Sequence, residues 1–182
     1  MAIDLKRDVL KYKGEYVSVY VRDGWYEFMH DRTGKIVGLL VFTRLPNRDI
    51  EKILGRYEYD HVTGTKSVLT SITGGVEEDQ TPEECAVVEM HEEAGFDVAA
   101  EDLIPLGTFQ PSKAEDTIVH LYAYDATDVE YMRRPESISD GTKGEEGARC
   151  EWVAFEDCIN ANSPVFHVAI LRLLTDLIRK ER

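Results

Sequence analysis

Cysteine is scarce in this chain: Cys85, Cys150 and Cys158 are all it has. The count is odd and no two lie at close metal-ligand spacing. A disulfide scaffold and a zinc site are therefore not expected, and a reducing compartment fits best. Long apolar runs are also missing. No stretch approaches the ~18 apolar residues of a membrane span. The first residues, MAIDLKRDVLKYKGEY, hold no apolar run of the kind a secretory signal needs. The expectation is a cytoplasmic protein with no membrane partner. Positive charge is in short supply, 21 Lys and Arg against 35 Asp and Glu, for a net charge of −14. Such a surface repels nucleic acid, which is not expected as a partner. An acidic protein can still work on phosphates when cations mediate the contact. Repeats and low-complexity segments are lacking, which excludes solenoids.

What is there suits one domain, or one domain with a small extra segment, since 182 residues can bury a real core. Glu15–Arg22 reads as a Val- and Tyr-rich strand, with Trp25–His30 as its hairpin partner across Asp23-Gly24. Lys35–Leu45 is a nearly continuous apolar run, the mark of a buried strand. In Asn47–Tyr57 the apolar positions have helical spacing, and Tyr59–Lys66 reads as loop. Ser67–Thr73 is a strand running into Gly74-Gly75. Leu103–Gln110, Thr117–Tyr124 and Arg149–Phe155 read as strands, and Val165–Lys180 as a C-terminal helix. Asp125–Gly147 is a long polar loop, a length that tends to be functional. Strands and helices mix without regular alternation, which points to an α+β fold or a mixed-sheet sandwich.

The helix from Thr81 to about Ala94 has the strongest start and stop signals. Thr81 caps it, Pro82 takes the first helical position, Glu84 completes a capping box, and Gly95 ends it. Glu89, Glu92 and Glu93 fall within a ~100° arc, while Ala86, Val87, Met90 and Ala94 fill the adjoining arc. No Lys or Arg lies on this helix. Glu89 and Glu93 repel each other by a few tenths of a kcal/mol unless something compensates. Clustered carboxylates without cations need open water or a bound metal, and a solvated acidic face is the competing account.

The spacing adds to this. Gly74–Phe96, GGVEEDQTPEECAVVEMHEEAGF, resembles the Nudix box, G-x5-E-x7-R-E-U-x-E-E-x-G-U with U a bulky aliphatic residue. Gly74, Glu89, Met90, Glu92, Glu93 and Gly95 fall on it without gaps, and Phe96 stands where an aliphatic is usual. Two positions depart. The loop glutamate is Gln80, and the arginine before the first helix glutamate is Val88. In the family that pair braces the loop and helix. A neutral contact in its place, or a weakened orientation of Glu89, are the two expectations.

The resemblance implies a Nudix-type α/β/α sandwich with a mixed sheet over residues 35–182, preceded by an N-terminal strand segment, 1–34, through which a homodimer could form. It implies hydrolysis of a diphosphate in a nucleotide-type small molecule, with Mg²⁺ or Mn²⁺ held by Glu89, Glu92 and Glu93, and Gly74 adding a backbone ligand. Hard cations of this kind bind carboxylate and phosphate oxygens and lower the pKa of bound water. Gly75 allows close approach of a phosphate. Gly107–Ser112, followed by Glu115, is similar to a segment of the ADP-ribose pyrophosphatase branch, with Pro111 at that branch's proline. That branch converts ADP-ribose and water to AMP and ribose 5-phosphate. The general base varies within the family. Glu92, Glu93, Glu115 and the late-loop pair Glu145 and Glu146 are the candidates. Arg44, at the end of the buried strand, is a phosphate-binding candidate, with a surface ion pair as the ordinary alternative. A non-catalytic nucleotide-binding module and a nucleoside triphosphate pyrophosphatase are the competing functions.

Overall fold

The computed structural model describes residues 3–47, 49–129 and 147–180; Glu145 and Glu146 lie outside them. The chain begins with three strands, β1 (Asp8–Lys13), β2 (Val17–Arg22) and β3 (Tyr26–Asp31), paired antiparallel in that order. Asp23 and Gly24 both take positive φ in the turn between β2 and β3, where Asp and Gly are tolerated best. β1 is largely exposed, so its sequence carries no alternation that would have marked it as a strand.

The larger sheet is built around β4 (Lys35–Arg44). It also holds β5 (Ile50–Asp60), β6 (Thr65–Thr70), β7 (Ile72–Gly75), β8 (Ile104–Phe109), β9 (Ile118–Asp125) and β10 (Arg149–Ala154). Its order is β10-β5-β4-β9-β8, with β6 on β5 and β7 on β4. β4 and β9 run parallel and the other pairs antiparallel, so the sheet is mixed. β4 and β5 pair only near Phe42 and Ile53, then part company. The β6–β7 segment fills the gap, pairing first with β5 and then with β4.

β4 is buried on both faces, as its unbroken apolar run requires. Val37, Leu39 and Val41 join Cys85, Ala86 and Met90 of α1 (Pro82–Glu92) in one core. Leu40 and Phe42 join Phe166, Ala169, Ile170 and Leu173 of α3 (Pro164–Lys180) in the other. Each fully buried Leu or Phe contributes roughly 1.5–3 kcal/mol, so the two layers lock α1 and α3 to opposite faces. A Cβ on Gly38 would stand 2.5 Å from Val165, so this glycine lets α3 lie close. A short helix, α2 (Phe155–Asn160), precedes α3. The result is the expected α+β sandwich with helices on both faces of a mixed sheet.

Asn47–Tyr57 is not helical. Ile50 onward forms β5, which runs through Asp60, and the expected loop shortens to the turn at 61–64 between β5 and β6. Ile53 and Leu54 face opposite cores. A strand buried on both sides places apolar residues side by side, and that imitates helical spacing over a short run. Residues 125–147 were expected to form a loop, and 130–146 of that stretch lie outside the described residues. The small sheet docks on the segment before β9. Met29 donates its backbone N–H to Ala114 O at 2.7 Å, and Asp116 returns one to Met29 O at 3.1 Å. His30 Nδ1 lies 2.6 Å from Asp116 Oδ2, which is buried. No helix among the described residues is long and apolar enough to cross a membrane.

Candidate active site

The Thr81–Glu84 capping box forms in full. The Thr81 hydroxyl accepts from Glu84 N, and the Glu84 carboxylate accepts from Thr81 N at 2.8 Å. The Thr81 N–H and hydroxyl hold the Glu84 carboxyl below the usual carboxylate range. One turn into the fold, Tyr122 of β9 donates its hydroxyl to Glu83 Oε1 at 2.7 Å, which lowers the Glu83 carboxyl in the same way. These contacts tie the start of α1 to the middle of the sheet. At the other end Gly95 takes φ +69° and its N–H reaches His91 O at 3.0 Å. That is the left-handed stop for which glycine has no steric penalty.

α1 is thereby held over the end of β7. Gly74 pairs with Val37 of β4 and lies directly against the Glu89 carboxylate. Any Cβ at residue 74 would fall inside that carboxylate, so glycine is required by a close approach rather than by a turn. Glu93, one turn on, is buried, while Glu92 is half-buried. Cys150 of β10 donates its thiol to Glu93 O at 3.2 Å, and burial pushes that thiol up to about 11. It is a packing residue, not a nucleophile.

Arg56 of β5 is ion-paired with Glu93 Oε1, and its Nε donates to Glu58 Oε2 at 2.9 Å. Both Arg56 and Glu93 are buried, and Glu93 Oε2 has no hydrogen-bond partner among the described residues. The departures from the box acquire a meaning here. Val88 is 40% exposed, and Gln80 makes a local turn with Glu77. A cation from a different element reaches the glutamate helix instead. Nothing in the sequence singled out Arg56, because Lys52, Glu58 and Asp60 share its alternate positions along β5 and make it look like an ordinary polar strand residue.

The remaining candidates are dispersed. Glu115 lies just before β9 and pairs with Met29 of β3 in an isolated bridge. Burial, and then Asp31 and Asp116, raise its carboxyl above the usual range. Because Lys35 is level with Ile118 and Ile36 with Gly75, Glu115 lies at the same end of the sheet as Gly74 and Gly75. Arg44 lies at the opposite end of β4, seven residues beyond Val37, or roughly 23 Å along a strand. It is paired with Asp125 at 2.8 Å and stacked over Phe42. Trp152 packs edge-on against Phe96 at the margin of the core. Among the described residues, no three carboxylate, histidine or cysteine side chains already stand as a ligand set.

A glutamate helix capped over a glycine-ended strand, on a mixed-sheet sandwich, is the arrangement of the Nudix pyrophosphohydrolases. The NUDIX domain model matches residues 51–174, most of the chain, and the chain belongs to that family. Among solved structures it is similar to one described as an ADP compounds hydrolase, with a TM-score of 0.64 and 14% identity over 98% of each chain. It is also similar to a MutT/nudix family protein from Enterococcus faecalis, with a TM-score of 0.50 and 16% identity. That match covers 68% of this chain and 44% of the other. No curated protein sequence matches. At these identities the structural likeness carries the fold.

Proposed function

We propose that this protein hydrolyses the diphosphate of a nucleoside diphosphate joined to another moiety, with ADP-ribose as the leading substrate. Water adds to one phosphorus, the bridging P–O bond breaks, and AMP and ribose 5-phosphate are released. The observation that carries the proposal is the buried Glu93 carboxylate, one helical turn from Glu89, with one oxygen left without a donor among the described residues. A buried carboxylate oxygen without a partner is costly, and a cation relieves it.

The residues present fit a hard divalent cation, Mg²⁺ or Mn²⁺. Glu89 and Glu93 would hold it, with Glu92 next and the Gly74 backbone beside them. Bound there, the ion would neutralise phosphate charge and make a water molecule more acidic. Gly75 leaves open space at the end of β7, where a phosphate can approach the backbone. A carboxylate must take the water's proton, and Glu92, Glu93, Glu115, Glu145 and Glu146 remain the candidates. Glu115 has the raised carboxyl that retaining a proton calls for. The likeness to a solved ADP compounds hydrolase supports the substrate class.

The test is a substrate panel with Mg²⁺ and with Mn²⁺, products identified by mass. AMP from ADP-ribose is the expected result. No turnover of ADP-ribose, nucleoside diphosphate sugars, dinucleoside polyphosphates, NADH, CoA or nucleoside triphosphates would overturn it. Tight ADP-ribose binding without hydrolysis, unchanged by Glu93→Gln, would favour a binding module.

The proposal includes a homodimer formed through residues 1–34. Val9, Tyr12 and Trp25 of the small sheet are exposed, an apolar surface that a second copy could cover. Light scattering should give twice the chain mass, and a monomer at micromolar concentration would sink it.

A further inference from the structure

Glu93 already has a cation, Arg56, and that arginine has a second carboxylate within reach. The guanidinium uses one nitrogen for Glu93 and another for Glu58, two residues along the same face of β5. Arg56 is 4% exposed, so neither contact is a surface ornament. The Glu58 side chain is partly open to solvent, at 37%. Cost therefore falls unevenly. Glu93 cannot be left without positive charge, whereas Glu58 can be solvated.

We propose that Arg56 is the internal counter-cation of this site. It neutralises Glu93 while no divalent ion is bound, and it is held by Glu58 when an ion takes Glu93. Two cations on one buried carboxylate repel strongly. Release to Glu58 keeps the guanidinium paired through the exchange. Arg56 is thus a positioning residue that sets metal affinity through Glu93. This inference rests on the metal role proposed for Glu93.

The experiment is titration of the full chain with Mn²⁺, free ion read by electron paramagnetic resonance, so that no turnover is needed. Arg56→Gln should bind Mn²⁺ about tenfold more tightly than the natural chain, since the competing charge is gone. Arg56→Lys keeps the charge and should stay within about threefold. Glu58→Gln should weaken binding several-fold, because Arg56 loses its alternative partner. That loss should vanish in the Arg56→Gln background, the mark of an effect carried by Arg56. Equal or weaker binding by Arg56→Gln overturns the proposal. So does a Glu58→Gln loss that persists undiminished without Arg56, which is the result expected of a diffuse field. Should Arg56→Gln not fold, Arg56→Lys/Glu58→Gln replaces it, and a loss as large as that of Glu58→Gln is then expected. Mn²⁺ binding unchanged by Glu93→Gln would instead overturn the metal role of Glu93, and no binding in any form would sink both readings.

Discussion

The Arg56 guanidinium, on a central strand, is ion-paired with the Glu93 carboxylate at the end of α1. The two residues lie far apart in sequence and meet only because β4 and β5 diverge beneath the helix. Removing one partner of a buried pair generally costs about 3–5 kcal/mol, because the other charge is left in a low dielectric. The pair therefore holds in place the same glutamate that we propose as a metal ligand, and it does so from a strand rather than from the positions of Gln80 and Val88.

Gly74→Ala should leave the fold intact and disable the site. The added methyl falls on the carboxylate and the Cγ of Glu89, so that side chain has to leave its place. Displacing a catalytic carboxylate by an ångström lowers turnover by about 100-fold. Circular dichroism melts should superimpose on those of the natural chain while ADP-ribose hydrolysis collapses. Full activity in this variant would mean that Glu89 plays no part.

Tyr122→Phe removes the hydroxyl that holds Glu83. Loss of one such hydrogen bond should cost about 1 kcal/mol in urea unfolding, with an unchanged m-value. A stability equal to that of the natural chain would show that α1 does not depend on this tie.

Acid should weaken the anchoring of α1. Glu83 and Glu84 have folded-state pKa values below the ordinary 4.5. Their contribution is fully present above that value and is lost as pH falls through the depressed values. Melting temperature should drop below about pH 4.5, and the drop should be shallower in Tyr122→Phe. An identical acid limb in both proteins would remove Glu83 from the account.

Glu115 should behave in the opposite sense. Burial and neighbouring acids raise its folded-state pKa, so ionisation costs stability as pH rises. Glu115→Gln should melt above the natural chain at pH 7 and level with it at pH 3, where both side chains are neutral. A variant less stable at pH 7 would show that the ionised carboxylate makes a favourable contact.

Much of the architecture could be read directly from residue patterns. The Thr81–Glu84 cap, the stop at Gly95 and the apolar run of β4 are local signals, and each appears where expected. β5 misled the reading because burial on both faces erased its two-residue alternation. β1 escaped notice for the converse reason, since exposure leaves no apolar pattern. The close approach of Gly74 to Glu89 was partly legible as a motif. The Arg56 pairing was not, because its partner is set by strand divergence.

By itself, then, the sequence determined the helix that carries Glu89, Glu92 and Glu93, the glycine that precedes it, and the family to which both belong. Capping, periodicity and spacing act over a few residues, so they are written along the chain. Tertiary structure alone decided what neutralises Glu93, what Tyr122 anchors, and that Arg44 lies at the far end of β4 beside Asp125. Charge pairing depends on distance in space, and the splayed sheet, not the order of residues, sets which charges meet.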